Sequence, residues 1–506
     1  MNSSKQIKFG AVISYFAIFV NIAAMLLYTP WMKDQIGMSN YGLYTLAHSF
    51  IAMFLMDFGI GSSVARFVAK YRAEGDTEAI KRLLGVVYKI FIAIDTVIFT
   101  LLFILYFFID SIYAGLTIAE AEQFKVLYII MAGFSVISFP FTTLSGIFNA
   151  YERFVPLKLC DLGQKLMSIA LIVGALLCDL GVTAMVFANT FSGIFFIIVK
   201  LIYLKKKTPV KIDFKAKDKQ ILKEIFSFSV WVMILGIAQR LTYNIAPSIL
   251  GMFSDSREIA LYSPASAIAG YFYTFATAIN GLFLPTISRK IAQNKDDDIL
   301  RLMIAVGRFQ VVVLGLLFVG FFSVGKDFMV LWMGAEFAPA YICTVIVTLP
   351  TIFEYSQQIA NTTLLAQNKV KYQSIGLIAN SFLNVIISSL LCKWFGAIGV
   401  CIGICITAFL NLVYINIVYY KVLKINVFVF YKKCYFRILL PILITIASSV
   451  VVNKSFFTTE SWLGVIVKGM ITVAVFGVTV FFIHLTKDDR KQLVSGLLKV
   501  LRKVKN

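Results

Sequence analysis

Residues 231–250 read WVMILGIAQRLTYNIAPSIL. As a helix this run is long enough to cross about 30 Å of hydrocarbon. It does not alternate between polar and apolar positions, so it is not a strand of a membrane barrel. Similar runs recur along the whole chain of 506 residues, which is 59% hydrophobic and 14% charged. Soluble domains average roughly 25% charged residues. The fold class that follows is an all-α polytopic membrane protein.

Counting outward from this run gives 14 transmembrane helices, starting near Phe9, Tyr41, Leu83, Phe124, Leu157, Gly181, Ile225, Ile259, Met303, Tyr341, Tyr372, Ala397, Phe436 and Trp462. The N-terminal MNSSKQIKFGAV lacks a small-residue cleavage site, so the first span is expected to be retained. Almost all connections are short, and with fourteen spans both termini fall on one side. Of the 47 Lys and Arg residues, 37 lie on that side, six on the other (Lys33, Lys125, Arg257, Lys326, Lys393 and Lys454), and four inside spans. Basic residues concentrate in cytoplasmic loops, so both termini are expected in the cytoplasm. The net charge of +21 is then a topology device facing anionic lipid, with no call for nucleic acid. Seven scattered cysteines without a CxxC pair, and only two histidines, argue against a structural zinc site.

An internal repeat organises the spans. YGLYTLAHSFIAMF from Tyr41 aligns without gaps to IALYSPASAIAGYF from Ile259, matching Leu43 with Leu261, Tyr44 with Tyr262, Ala47 with Ala265 and Phe54 with Phe272. Farther on, SSVARFVA from Ser62 aligns with PTISRKIA from Pro285 after a short insertion. A six-span repeat keeps the same orientation in both copies, so two six-helix bundles related by a pseudo-twofold along the membrane normal are expected. The division is an N-terminal bundle over 1–204, a basic cytoplasmic linker over 205–223, a C-terminal bundle over 224–420, helices 13 and 14 over 421–485, and a cytoplasmic amphipathic tail over 486–506. The tail places Leu493, Leu497, Leu501 and Val504 on one face, as an interfacial helix does.

Two bundles invite a substrate cavity between them, and the polar residues inside spans are its candidates. Arg240 lies about 20 Å into its span at 1.5 Å per residue, too deep to reach water by stretching. Asn244 is one turn on along the same face. A guanidinium pairs best with phosphate or carboxylate through two parallel hydrogen bonds, which points to an anionic substrate; the alternative is an internal pair with Asp95, Glu354 or a backbone carbonyl. Lys165 either adds positive charge to an inward-open cavity or reaches for the inner headgroups, and Lys89 leans toward the headgroups. His48, Asn21 and Asn280 either line the cavity or join helices. Asp95 and Glu354 are candidates for coupling to H+ or Na+, against an ion-pair or neutral role. No catalytic residues, metal site or cofactor emerge. Asp296, Asp297 and Asp298 precede an apolar helix, where acids complement its N-terminus, and no P-loop or nucleophile–base set is present.

The stretch YGLYTLAHSFIAMFLMDFGIGSSVARFVAKYRAEGD from Tyr41 resembles the polysaccharide transporter (Wzx-type) family of lipid-linked oligosaccharide flippases, in the multidrug/oligosaccharidyl-lipid/polysaccharide exporter superfamily. LWMGAEFAPAY from Leu331 and the stretch from Leu364 through the twelfth span are similar to the same family. The resemblance implies a flippase in the bacterial cytoplasmic membrane that moves undecaprenyl-diphosphate-linked oligosaccharide to the outer leaflet for O-antigen, capsule or exopolysaccharide. It also implies a cationic cavity, with Arg240 the best fit, and other polysaccharide-assembly membrane proteins as partners. A multidrug or cation antiporter of the same superfamily is the competing reading, and it would need acids in the cavity. A polymerase or ligase would need a long basic outer loop, which this chain lacks.

Overall fold

The computed structural model describes residues 3–55, 60–210, 212–216, 218–277, 283–293, 296–455 and 461–485. Asn280 and the tail over 486–506 lie outside them. All regular structure among the described residues is helical. The order is α1 (Ser3–Ile36), α2 (Met38–Ala52), α3 (Ile60–Glu74), α4 (Thr77–Phe107), α5 (Ile109–Ile112), α6 (Ile118–Ser138), α7 (Leu144–Ala150), α8 (Phe154–Leu177), α9 (Gly181–Lys207), α10 (Lys219–Asn244), α11 (Ala246–Phe253), α12 (Ser256–Thr277), α13 (Leu284–Ala292), α14 (Asp296–Met333), α15 (Ala338–Tyr355), α16 (Gln358–Ala366), α17 (Val370–Val422), α18 (Val427–Cys434), α19 (Leu439–Ser455) and α20 (Trp462–Thr479).

Among the described residues nine helices are long and apolar enough to cross a membrane, or ten if the bent pair of α18 and Leu439–Asn453 is one span. One of the nine, α17, has 53 residues. A straight helix of that length would be about 80 Å long, far more than a bilayer core. It turns back at Gly396, whose φ of 53° and ψ of −131° are open to glycine at little cost. The Ser388 hydroxyl then donates to the Val400 carbonyl at 3.3 Å, so the two legs pack as a helical hairpin. The stretch 231–250 is broken as well: α10 ends at Asn244, and Pro247 opens α11, where its missing N–H costs nothing.

The lipid-facing surface is visible on α4. Phe91, Leu84 and Val87 are fully buried, whereas Phe99, Phe103 and Phe107 are 53%, 57% and 65% exposed at helical spacing. A stripe of bare phenylalanines is a liability in water and ordinary in hydrocarbon.

The chain forms two compact units: residues 1–263 with 377–403, and 264–376 with 404–506. In the first, Phe91 packs on Phe139 and Tyr113 on Phe124, each with ring centroids 5.1 Å apart. The second has its core around Met303, Ile359, Tyr419, Phe430 and Phe476, all essentially inaccessible. There Lys468 of α20 is 2% exposed and meets Asp327 of α14 at 3.2 Å, with Ser323 and Thr472 bonded at 2.8 Å alongside. This polar seam fastens α20 to α14.

Candidate functional site

A cavity of about 380 Å³ opens inside the first unit, lined by α1, α2, α8 and α9. The α8 wall is a polar stripe: Asp161, Gln164, Lys165 and Ser168 follow the i, i+3, i+4, i+7 spacing of one helix face. From α9 comes Asn189, which accepts a hydrogen bond from the Ser168 hydroxyl at 2.9 Å. Asn21 and Tyr28 enter from α1, and Tyr44 and His48 from α2, with the Tyr44 and His48 rings 6.3 Å apart. The Tyr28 hydroxyl is buried and has no hydrogen-bond partner among the described residues.

The charge balance of the cavity is set by α9. Asp161 is the single carboxylate among its lining residues, and Lys200 holds it at 2.8 Å, with Lys158 at 3.9 Å. Lys165 has no ion pair among the described residues and is exposed to the cavity. Three lysines and one aspartate leave the cavity and its rim positive. Amide groups of Asn21, Gln164 and Asn189 add neutral donors and acceptors.

Asn21, His48 and Lys165 are thus brought together, while the other sequence candidates within the described residues stand elsewhere. Arg240 and Asn244 are half-buried on α10 and do not line this cavity. Ala238 and Thr242 hold the opposite face of α10: the Thr242 and Ser381 hydroxyls are 2.8 Å apart, and Ser381 donates to the Ala238 carbonyl at 2.8 Å. No ion pair of Arg240 is found among the described residues. Asp95 is half-buried on α4, with Oδ1 buried and unpartnered among the described residues. Glu354 is half-buried near the end of α15 in the second unit. Asp298, in the first turn of α14, pairs with Lys290 at 2.9 Å.

Residues 8–289 match the polysaccharide biosynthesis protein family. The chain belongs to that family. No curated protein matches this family member in sequence. In fold it is similar to the lipid II flippase MurJ in an inward closed conformation, with a TM-score of 0.71 at 16% identity over 94% of this chain and 99% of that one. It is similar also to an inward-facing multidrug resistance MATE transporter of the MOP superfamily (TM-score 0.63, 13% identity, 77% and 96% of the two chains). A MOP superfamily transporter from Pyrococcus furiosus, described as having a binding pocket of reversed polarity, gives 0.58 at 13% identity over 84% and 97%. The family is that of polysaccharide biosynthesis proteins, and the fold is shared with structures described as a lipid II flippase and as a multidrug resistance transporter of the MOP superfamily.

In this polysaccharide biosynthesis protein, one feature of the site escapes a reading of the sequence and another is legible in it. The neutralisation of Asp161 comes from Lys200, 39 residues away, and only the packing of α8 on α9 reveals it. The stripe Asp161, Gln164, Lys165 and Ser168 was open to the helical period, and that signal alone would have drawn attention to Gln164. Lys89, expected to reach the headgroups, donates to the Ala216 carbonyl at 2.8 Å and ties the linker to α4.

Proposed function

We propose that this polysaccharide biosynthesis protein flips undecaprenyl-diphosphate-linked oligosaccharide from the inner to the outer leaflet of the bacterial cytoplasmic membrane, by alternating access around a cationic cavity, for surface polysaccharide assembly. The observation that carries the reading is the charge of the cavity: Asp161 is taken up by Lys200 and Lys158, so Lys165 is left as net positive charge among amides. A diphosphate cannot cross hydrocarbon alone, and an unpaired ammonium in a low-dielectric recess offsets that barrier. Asn21, Gln164 and Asn189 suit sugar hydroxyls, which need both donors and acceptors. Arg240 and Asn244 form a second polar face on α10, suited to the diphosphate as the headgroup moves. The lipid tail stays in the bilayer throughout.

Fourteen spans in two six-helix halves with both termini cytoplasmic complete the proposal, supported by the basic-residue asymmetry. Asp95 and Glu354 remain the candidates for H+ or Na+ coupling. The antiporter alternative suits this cavity less well, because a cationic drug entering it meets Lys165 while the carboxylate is already engaged.

The test is surface glycan restoration in a flippase-null strain carrying Lys165→Ala, Lys165→Arg, Arg240→Ala or Arg240→Lys. Both alanine variants are expected to lose most activity at normal protein level, and the charge-preserving variants to keep a measurable part. Full activity of the alanine variants would overturn the anion-site reading.

A further inference from the structure

At the end of the first unit where α1 hands over to α2, one carboxylate gathers three chain-distant elements. Glu120 is the third residue of α6 and forms a capping box with Thr117: Glu120 Oε2 accepts from the Thr117 backbone N–H at 2.9 Å and from its hydroxyl at 3.0 Å. The other oxygen, Oε1, accepts from the Ser39 hydroxyl and, at 2.5 Å, from the Ser256 hydroxyl. Those two hydroxyls are themselves 2.8 Å apart. Ser39 lies in the first turn of α2 and Ser256 begins α12, 217 residues later. These are the equivalent helix starts of the two sequence repeats, so a single anion sits at both positive helix ends.

The surrounding contacts make this junction a seal. Ser256 is 1% exposed. The Tyr41 hydroxyl meets Ser263 at 2.8 Å, and the Gly115 N–H donates to the Gly251 carbonyl at 3.2 Å. Gly42 is required there, since a Cβ would fall 1.9 Å from the Ser256 carbonyl oxygen.

We infer that Glu120 is the releasable latch of an outward-side gate, holding the start of α2 to the start of α12 until the cavity opens outward. The inference rests on the alternating-access reading and on the orientation that puts this end outside. The chemistry suits a bond that must part in each cycle. All of its donors are neutral, so no buried ion pair has to be broken. When Ser39 and Ser256 leave, Thr117 keeps Oε2 satisfied and water takes over Oε1, so opening strands no buried charge.

The test uses full-length protein in intact cells, with Thr45→Cys as the reporter, because the Thr45 hydroxyl reaches Ser263 across the same seam at 3.4 Å. Cys178→Ser removes an exposed native thiol. A membrane-impermeant maleimide is applied from outside, and modification at position 45 is read by peptide mass spectrometry. Glu120→Ala and Ser256→Ala are each expected to raise the labelling rate about fivefold or more, the equivalent of at least one hydrogen bond. Unchanged labelling in both variants, at normal protein level, overturns the latch. Pairing Ser39→Cys with Ser256→Cys gives a second arm. Oxidation is expected to stop glycan export and to suppress labelling, both reversed by reductant, whereas continued export with the crosslink formed also overturns it. Labelling needs no substrate. Failure of the flippase reading therefore shows as absent glycan complementation with the labelling shift intact, and failure of the latch as flat labelling with complementation intact.

Discussion

At the scale of single residues, the tightest constraint is steric. Gly42 faces the Ser256 backbone carbonyl, and backbone atoms cannot swing aside as a flexible side chain does. Gly42→Ala is therefore expected to force α2 and α12 apart although it adds one methyl group. The purified protein should melt lower, by about one degree for each kcal/mol lost in a chain of this length. Position 45 should also become more accessible from outside. Unaltered melting and accessibility would show that the helices can relax without cost. The same scale shows what sequence could reveal about the cavity. Asn21, His48 and Lys165 were legible because a polar group inside an apolar run is conspicuous. Tyr28 and Tyr44 were not, because tyrosines near span ends are ordinary and only helix packing turns them inward. The decisive fact, that among the described residues Asp161 has lysine partners and Lys165 has no ion pair, belongs to the packing of α8 on α9 and to no single run of residues.

At the scale of elements, the joint between α14 and α20 tests how a buried charge is kept in a membrane helix. Lys468 is one of the four basic residues that the sequence places inside spans, and its partner Asp327 sits near a span end, where an acid draws no notice. The pair is 3.2 Å apart, with the lysine 2% exposed, and the Ser323–Thr472 bond and the Asn453 amide on the Ser323 carbonyl flank it. Removing one member leaves the other uncompensated, which costs more than the pair itself contributes. Asp327→Asn is therefore expected to destabilise by about 3 kcal/mol, seen as a lower melting temperature or reduced protein level. The double variant Asp327→Leu with Lys468→Met should recover much of that loss. A double variant no better than the single would mean that the charges themselves, rather than their balance, hold α20 in place. The hairpin within α17 was more legible: the sequence put the start of its second leg at Ala397, and the chain turns at Gly396, since a 53-residue apolar run cannot stay straight in a bilayer.

At the scale of the whole molecule, composition settled the class early, because repeated apolar runs with few charges allow little but a helical membrane fold. The number of crossings is harder, since broken helices such as α10 with α11, or α18 with α19, divide one span into pieces that hydropathy reads as a single run. Orientation rests on a different physical basis, the retention of Lys and Arg on the cytoplasmic side, and 37 against six is too lopsided to arise from a shifted boundary or two. A topology map gives the check. Single cysteines replacing Lys393 and Lys454 should react with an impermeant maleimide in intact cells, and cysteines replacing Lys206 and Lys371 only after the membrane is opened. Two neighbouring sites reacting from the wrong side would indicate a miscounted span between them. Reversal at all four would put the Glu120 junction on the cytoplasmic face, making it an inward-side gate, and an anionic headgroup entering from inside would meet the latch before reaching Lys165.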